Sequence, residues 1–140
     1  MKVKECMCSD VLCATPNDTV YDCAKTMLDN HIGCIPVCDG ANNVIGMVTD
    51  RDIVLRVIAC GKDEKTTQVS EIMTSEVCTC TCDTEIDEAQ ELMSKNQVRR
   101  LPVLENNKIV GILTLGDLAK NESVNNTLEN ICKCDIKHTE

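Results

Sequence analysis

The sequence predicts an α+β fold made twice over, two βαββα units related by a pseudo-twofold axis. Three observations predict it. The first is an internal repeat. Gly46-Met47-Val48-Thr49-Asp50-Arg51-Asp52 and Gly111-Ile112-Leu113-Thr114-Leu115-Gly116-Asp117 both run glycine, two apolar residues, threonine, two free positions, aspartate. Ile35-Pro36-Val37 and Leu101-Pro102-Val103 precede them, and Met7/Met73, Ser9/Ser75, Val11/Val77, Thr15/Thr81, Met27/Met93 and Asn30/Asn96 coincide at an offset of 66, which becomes 65 after the hairpin turn. A tandem repeat implies two similar supersecondary units and a cleft between them where a ligand can lie. The second is that each repeat switches from helical to strand periodicity in the same order. The third is size: in a chain of 140 residues each unit has only about 60, which is marginal alone, so the repeats are expected to share a core.

The elements follow in chain order. Val20, Cys23, Ala24, Met27 and Leu28 fall at i, i+3, i+4, i+7 and i+8, the spacing of a helix with one apolar face. Thr19 and Asp22 supply a capping box at its start, and Gly33 ends it. Cys34 to Cys38 is a short apolar strand whose Pro36 suits a sheet edge or bulge. Asp39-Gly40-Ala41-Asn42-Asn43 reads as a turn, Val44 to Val48 as the returning strand, and Asp50 to Cys60 as a second helix with Ile53, Val54, Val57 and Ile58 inward. The second repeat copies this: Ile86, Ala89 and Met93 stripe a helix, Val98 to Leu104 and Ile109 to Leu113 form a hairpin over Glu105-Asn106-Asn107-Lys108, and Leu118 lies on a short closing helix. The expected boundaries are 5–60 for the first repeat, 61–70 for a polar linker, 71–120 for the second repeat, and 121–140 for a polar tail with some helix from Val124 to Ile131.

Composition limits the functions available. Hydrophobic residues make up 43% of the chain, yet there is one Tyr and no Phe or Trp, so the core must be Val, Ile, Leu, Met and Cys. The net charge of −9 repels phosphate backbones and argues against nucleic acid as a partner. No apolar run is long enough to span a membrane, and the N-terminus lacks the apolar stretch of a signal peptide; a cytoplasmic protein is expected.

The repeated segment has a physical logic for binding. A threonine at a strand-to-helix junction caps a helix whose first N–H groups are unpaired and attract an anion. Its hydroxyl can also bond a phosphate, and the aspartate one turn on can accept from a pair of ribose hydroxyls. The same T-x-x-D is equally a capping box in which each residue serves the other's backbone, and duplication alone copies caps as well as sites.

The whole pattern, an M-T/S start, a capped helix, h-P-V, an acidic or Asn turn and G-h-h-T-x-x-D, each present twice, resembles the cystathionine-β-synthase (CBS) domain pair over about residues 5 to 120. The resemblance implies two βαββα CBS units packed sheet to sheet, with clefts for an adenosine-type ligand: AMP, ADP, ATP, S-adenosylmethionine or a nicotinamide dinucleotide (NAD-type). It implies that Thr49 with Asp52, and Thr114 with Asp117, hold phosphate and ribose. Met47 and Ile112 would pack on adenine. Ile32, Gly33 and Cys34, and Val98, Arg99 and Arg100, would touch base and phosphate, while Leu12 and Cys78, on the opening strands, would line the adenine pocket. Many members dimerise. The function expected is a non-catalytic regulatory sensor, as a homodimer, that reports to an effector protein or acts as a stand-alone sensor. Arg99 and Arg100 can give charge-assisted bonds to phosphate where Gly33 and Cys34 cannot, so the second site is expected to be the stronger.

Two other readings stay open: a structural dimerisation module with empty clefts, and a thiol-based metal or redox sensor. The twelve cysteines bear on the latter. Cys6 and Cys8 with Cys132 and Cys134 could in principle offer four thiolates to zinc. Against that, Cys6 aligns with Ile72, Cys23 with Ala89, Cys38 with Leu104, Cys78 with Leu12 and Cys80 with Ala14, as expected of cysteine used as a small hydrophobe. His31 suits a helix end, and no nucleophile, base and orienter constellation is present, so no enzyme is expected.

Overall fold

Each repeat in the computed structural model, which describes residues 1–120, grows from a capped helix followed by a hairpin. In the first, α1 (Val20–Asn30) starts where the Thr19 hydroxyl accepts from the Asp22 amide at 3.1 Å. It ends at His31, whose left-handed backbone (φ 55°) caps it, rather than at Gly33; Gln97 (φ 53°) does the same for α3 (Ile86–Asn96). The buried stripe of α1 is Val20, Cys23 and Met27. Leu28, expected on that face, is 67% exposed, because it lies one residue past the inward line of the turn.

β1 (Cys34–Cys38) and β2 (Val44–Thr49) pair antiparallel, with a bulge between Val37 and Cys38. In the turn between them the Asp39 carboxylate accepts from the Ala41 and Asn43 amides. β3 (Cys80–Thr81), β4 (Arg100–Glu105) and β5 (Lys108–Thr114) form a three-stranded sheet, β3 parallel to β4 and β4 antiparallel to β5. Asn106 and Asn107 both take positive φ, the geometry of a two-residue hairpin turn. The opening strand is slighter than expected. In the first repeat it is one parallel bridge, Ala14 to Val37, and Leu12 and Cys78 lie before the paired residues rather than on a strand.

The second helix begins as α2 (Asp50–Ile53) and continues as a π-helical turn, Val54–Ile58, in which the Ala59 amide donates to the Val54 carbonyl. Ile53 and Val57 are buried, but Val54 and Ile58, expected inward, are exposed; the wider turn rotates them off the core line. Its counterpart α4 spans Leu115–Leu118. The expected tail, 121–140, and with it Cys132 and Cys134, lies outside the described residues.

The compact units are cut differently from the sequence repeats: Leu12–Val77 forms one, and Met1–Val11 with the described chain from Cys78 to Lys120 forms the other. The openings of the repeats explain this. Val69, Ile72 and Met73 pack in the core of α1, β1 and β2, and Thr74 exchanges two backbone hydrogen bonds with Met47. Val3, Cys6 and Met7 pack in the core of α3, β4 and β5, and Cys8 exchanges two with Ile112. Each hairpin is thus completed by the segment that opens the other sequence repeat. The stretch expected as a linker shares in this. Val20 N–H donates to the Thr67 carbonyl, Tyr21 N–H to that of Glu64, and Val69 N–H to that of Asp18, so 61–70 supplies acceptors to the first turn of α1.

Those packed methionines explain the glycine that opens each G-h-h-T-x-x-D. A Cβ on Gly111 would lie 2.6 Å from the Met7 sulfur and 3.0 Å from the Cys8 carbonyl, and one on Gly46 would strike the Met73 sulfur. Glycine is there for close packing on its own core, not for a ligand.

Candidate functional site

In β2, Gly46 and Val48 face the core while Met47 and Thr49 stand half-buried on the other face; in β5, Gly111 and Leu113 are buried and Ile112 and Thr114 take the other face. Alternation therefore sets Met47 beside Thr49 and Ile112 beside Thr114. The ladder adds what lies across: Cys34 is directly opposite Thr49 and Pro36 opposite Met47, as Arg100 is opposite Thr114 and Pro102 opposite Ile112. Directly opposed residues have neighbouring side chains on one face. Each repeat thus sets a half-buried apolar residue, beside a buried proline, next to its threonine; the residue across the ladder from the threonine is Cys34 in the first and Arg100 in the second.

Both threonines cap their helices reciprocally. Thr49 Oγ1 accepts from the Asp52 amide at 3.1 Å, and Asp52 Oδ2 from the Thr49 amide at 3.0 Å. Thr114 and Asp117 do the same at 3.1 and 2.9 Å. The capping role is therefore real in both copies. It leaves each hydroxyl its proton to donate and each carboxylate its second oxygen to accept. Asp117 is in no ion pair among the described residues, whereas Asp52 Oδ1 lies 3.9 Å from Arg56 Nε. Arg56 also donates from Nη1 to the Ile72 carbonyl at 3.0 Å, so it links the first aspartate to the segment that completes its core.

The flanks separate the two sites further. Gly33 and Arg99 play the same backbone part, accepting from the Asp50 amide at 2.9 Å and the Leu115 amide at 2.8 Å. In the first repeat the Asp50 carboxylate then fills the neighbourhood: it accepts from the Arg51 amide at 2.8 Å and stands 2.9 Å from where a Gly33 Cβ would be. A fixed anion thus sits at the start of α2. In the second repeat Leu115 has no carboxylate to offer the Gly116 amide, and exposed Arg99 and half-buried Arg100 stand alongside. Sequence reasoning placed the arginines but missed the Asp50 carboxylate; its alignment with Leu115 was the signal.

The remaining expected residues lie farther out. Ile32 and Val98 each donate a backbone bond to the methionine that ends the buried helix stripe, Met27 and Met93, both at 3.1 Å. Leu12 is 44% exposed. Cys78 accepts from Asn96 Nδ2 at 3.5 Å, burial pushes its thiol pKa up, and none of its described contacts reaches Thr114 or Asp117. Cys23, Cys38 and Cys80 are buried, as small core residues are. Among the described residues no group of three or more His, Cys, Asp or Glu side chains could hold a metal ion, and no helix is long and apolar enough to cross a membrane.

The CBS domain family pattern matches the chain twice, at residues 3–59 and 69–123. The CBS domain-containing protein YhcV of Bacillus subtilis is 41% identical over 138 residues, 96% of this chain and 97% of that protein. The fold matches a crystal structure of Hypoxic Response Protein I with two coordinated zinc ions, with a TM-score of 0.80 and 31% identity over 86% of this chain and 98% of that one. It also matches the CBS domain pair of MJ0100 in complex with 5′-methylthioadenosine and S-adenosyl-L-methionine, with a TM-score of 0.76 and 26% identity over 86% of this chain and 94% of that one.

Proposed function

The chain belongs to the CBS domain family, and from that premise we propose that it is a non-catalytic sensor of an adenosine-type nucleotide whose stronger site is in the second repeat. One observation carries the reading: Arg100 stands directly opposite Thr114 on the ladder, beside the Thr114–Asp117 box. The half-buried Ile112 suits adenine, the free oxygen of Asp117 suits the ribose hydroxyls, and Arg99, Arg100 and the Gly116 amide suit a 5′-phosphate. In the first repeat the Asp50 carboxylate repels a phosphate, and that site suits adenosine with an uncharged or cationic 5′ group. The adenosine-type ligands of the MJ0100 pair support the ligand class. Ligand binding would act by its differential affinity for conformations of the protein or of an effector complex.

A homodimer is part of the proposal. Leu28, Val54, Leu55 and Ile58 are 67%, 51%, 47% and 65% exposed on α1 and the following helix, an apolar surface that invites a second copy. A reducing, cytoplasmic setting, in which cysteines persist as thiols, is also part of the proposal.

The test is calorimetric titration of purified protein with AMP and ATP. Binding that is lost in the Arg100→Ala/Asp117→Ala double variant supports the assignment; binding that persists unchanged refutes it.

A further inference from the structure

Cys13 and Cys38 are 25 residues apart in sequence, yet the Cys38 thiol donates to the Cys13 sulfur at 3.2 Å. Two backbone bonds hold the pair in place: Ala14 N–H donates to the Pro36 carbonyl, and Cys38 N–H to the Ala14 carbonyl, both at 2.9 Å. The sulfurs must close by only about 1 Å to reach the 2.05 Å of a disulfide bond. The two thiols differ in access: Cys13 is exposed, while Cys38 is 3% exposed at the end of β1. Packing does not require a pair here, since the aligned positions of the second repeat are Thr79 and Leu104.

We propose that Cys13 and Cys38 are a redox site at which a hydroperoxide closes an intramolecular disulfide within the Leu12–Val77 unit. The exposed Cys13 takes the oxidant: its sulfur attacks the peroxide oxygen, the O–O bond breaks, and an alcohol or water leaves with Cys13 as the sulfenic acid. The Cys38 sulfur then attacks the Cys13 sulfur, the S–OH bond breaks, and the Cys38 proton leaves with the hydroxyl as water. One peroxide is reduced, and two thiols become one disulfide. Burial, the Cys13 contact and the nearby Asp39 carboxylate raise the Cys38 pKa to about 12, so Cys38 meets oxidants as a thiol and reacts only with the neighbour it touches. The bond ties the segment of Leu12 and Ala14 to the strand whose other end, Cys34, faces Thr49, so it clamps one flank of the first repeat.

The test treats the reduced full-length chain with about one equivalent of hydrogen peroxide, blocks remaining thiols with N-ethylmaleimide, and maps the linkages by tandem mass spectrometry. A Cys13–Cys38 bond that forms ahead of any other, reverses with dithiothreitol and raises the thermal midpoint by about 5 °C or more is expected. Cys13→Thr, which installs the residue of the second repeat, should keep the reduced midpoint and lose the oxidative shift. Oxidation that falls first on other cysteines or joins separate chains, with Cys13 and Cys38 still alkylated, overturns the proposal, as does an equal oxidative shift in Cys13→Thr.

Discussion

The two Thr–Asp boxes share a backbone and differ in charge. Thr49 and Thr114 have the same torsions within a degree (φ −111° in both, ψ 162° and 161°), and the same pair of reciprocal bonds. Around the first, Asp50 supplies its own carboxylate to the helix start and Arg56 engages Asp52; around the second, Leu115 and Gly116 supply no charge, and Arg100 arrives from the facing strand with Arg99 just before it. Duplication therefore preserved the reciprocal Thr–Asp caps, while substitution at four flanking positions gave the two boxes different charges.

The comparison breaks most sharply in the second box. Removing Arg100 and Asp117 together should weaken AMP about 100-fold or more, because each charged hydrogen bond is worth about 1.5–3 kcal/mol. Calorimetry checks this, with Asp52→Ala as the control expected to leave AMP nearly unaffected. Stability should treat the copies alike where charge is not at stake. Gly111→Val and Gly46→Val should each cost about 2 kcal/mol in urea unfolding, since the methionines over both glycines leave no room. A large effect in one alone would show that the two cores are not equivalent.

Association sharpens the contrast between helices. The exposed face of α3 carries Asp87, Glu88 and Glu91, unlike the exposed Leu28 of α1 and the exposed Val54, Leu55 and Ile58 of the helical turn after α2. Leu28→Asp with Ile58→Asp should weaken self-association by about tenfold or more by sedimentation velocity, whereas Glu88→Ala with Glu91→Ala should not. A smaller effect is expected from Asp50→Asn: AMP affinity at the first site should rise about two- to fivefold, the size of one exposed charge.

The smallest signal is in alkali. Burial raises the thiol pKa of Cys23 to about 11 and of Cys80 to about 12, from 9.0. Each folded value exceeds the unfolded one, so their contribution is complete below pH 9 and fades as pH climbs toward 11 to 12, where the unfolded chain ionises first. Cys80→Ala, which installs the residue of Ala14, should flatten the loss of stability between pH 9 and 11 in chemical denaturation.

The duplicated box, the helix stripes and the h-P-V strand were legible because they are local: a capping box needs four consecutive residues, and a strand face follows from alternation. The Met7–Gly111 and Met73–Gly46 contacts were not, since each methionine is far along the chain from its glycine and nothing in sequence says which hairpin an opening segment will complete. The exposed Val54 and Ile58 were misjudged because a helical stripe assumes an α-turn, and one π-turn shifts the face.

By itself the sequence determined that the fold is written twice, that each copy ends a strand in a threonine-capped helix, and that the second copy has Arg99 and Arg100 where the first has Gly33 and Cys34. Only the tertiary structure decided that the opening of each repeat completes the other's hairpin, that Asp50 turns its carboxylate toward Gly33, and that Cys13 meets Cys38. Those outcomes depend on distances between residues far apart in the chain, which closing the core fixes and local patterning leaves open.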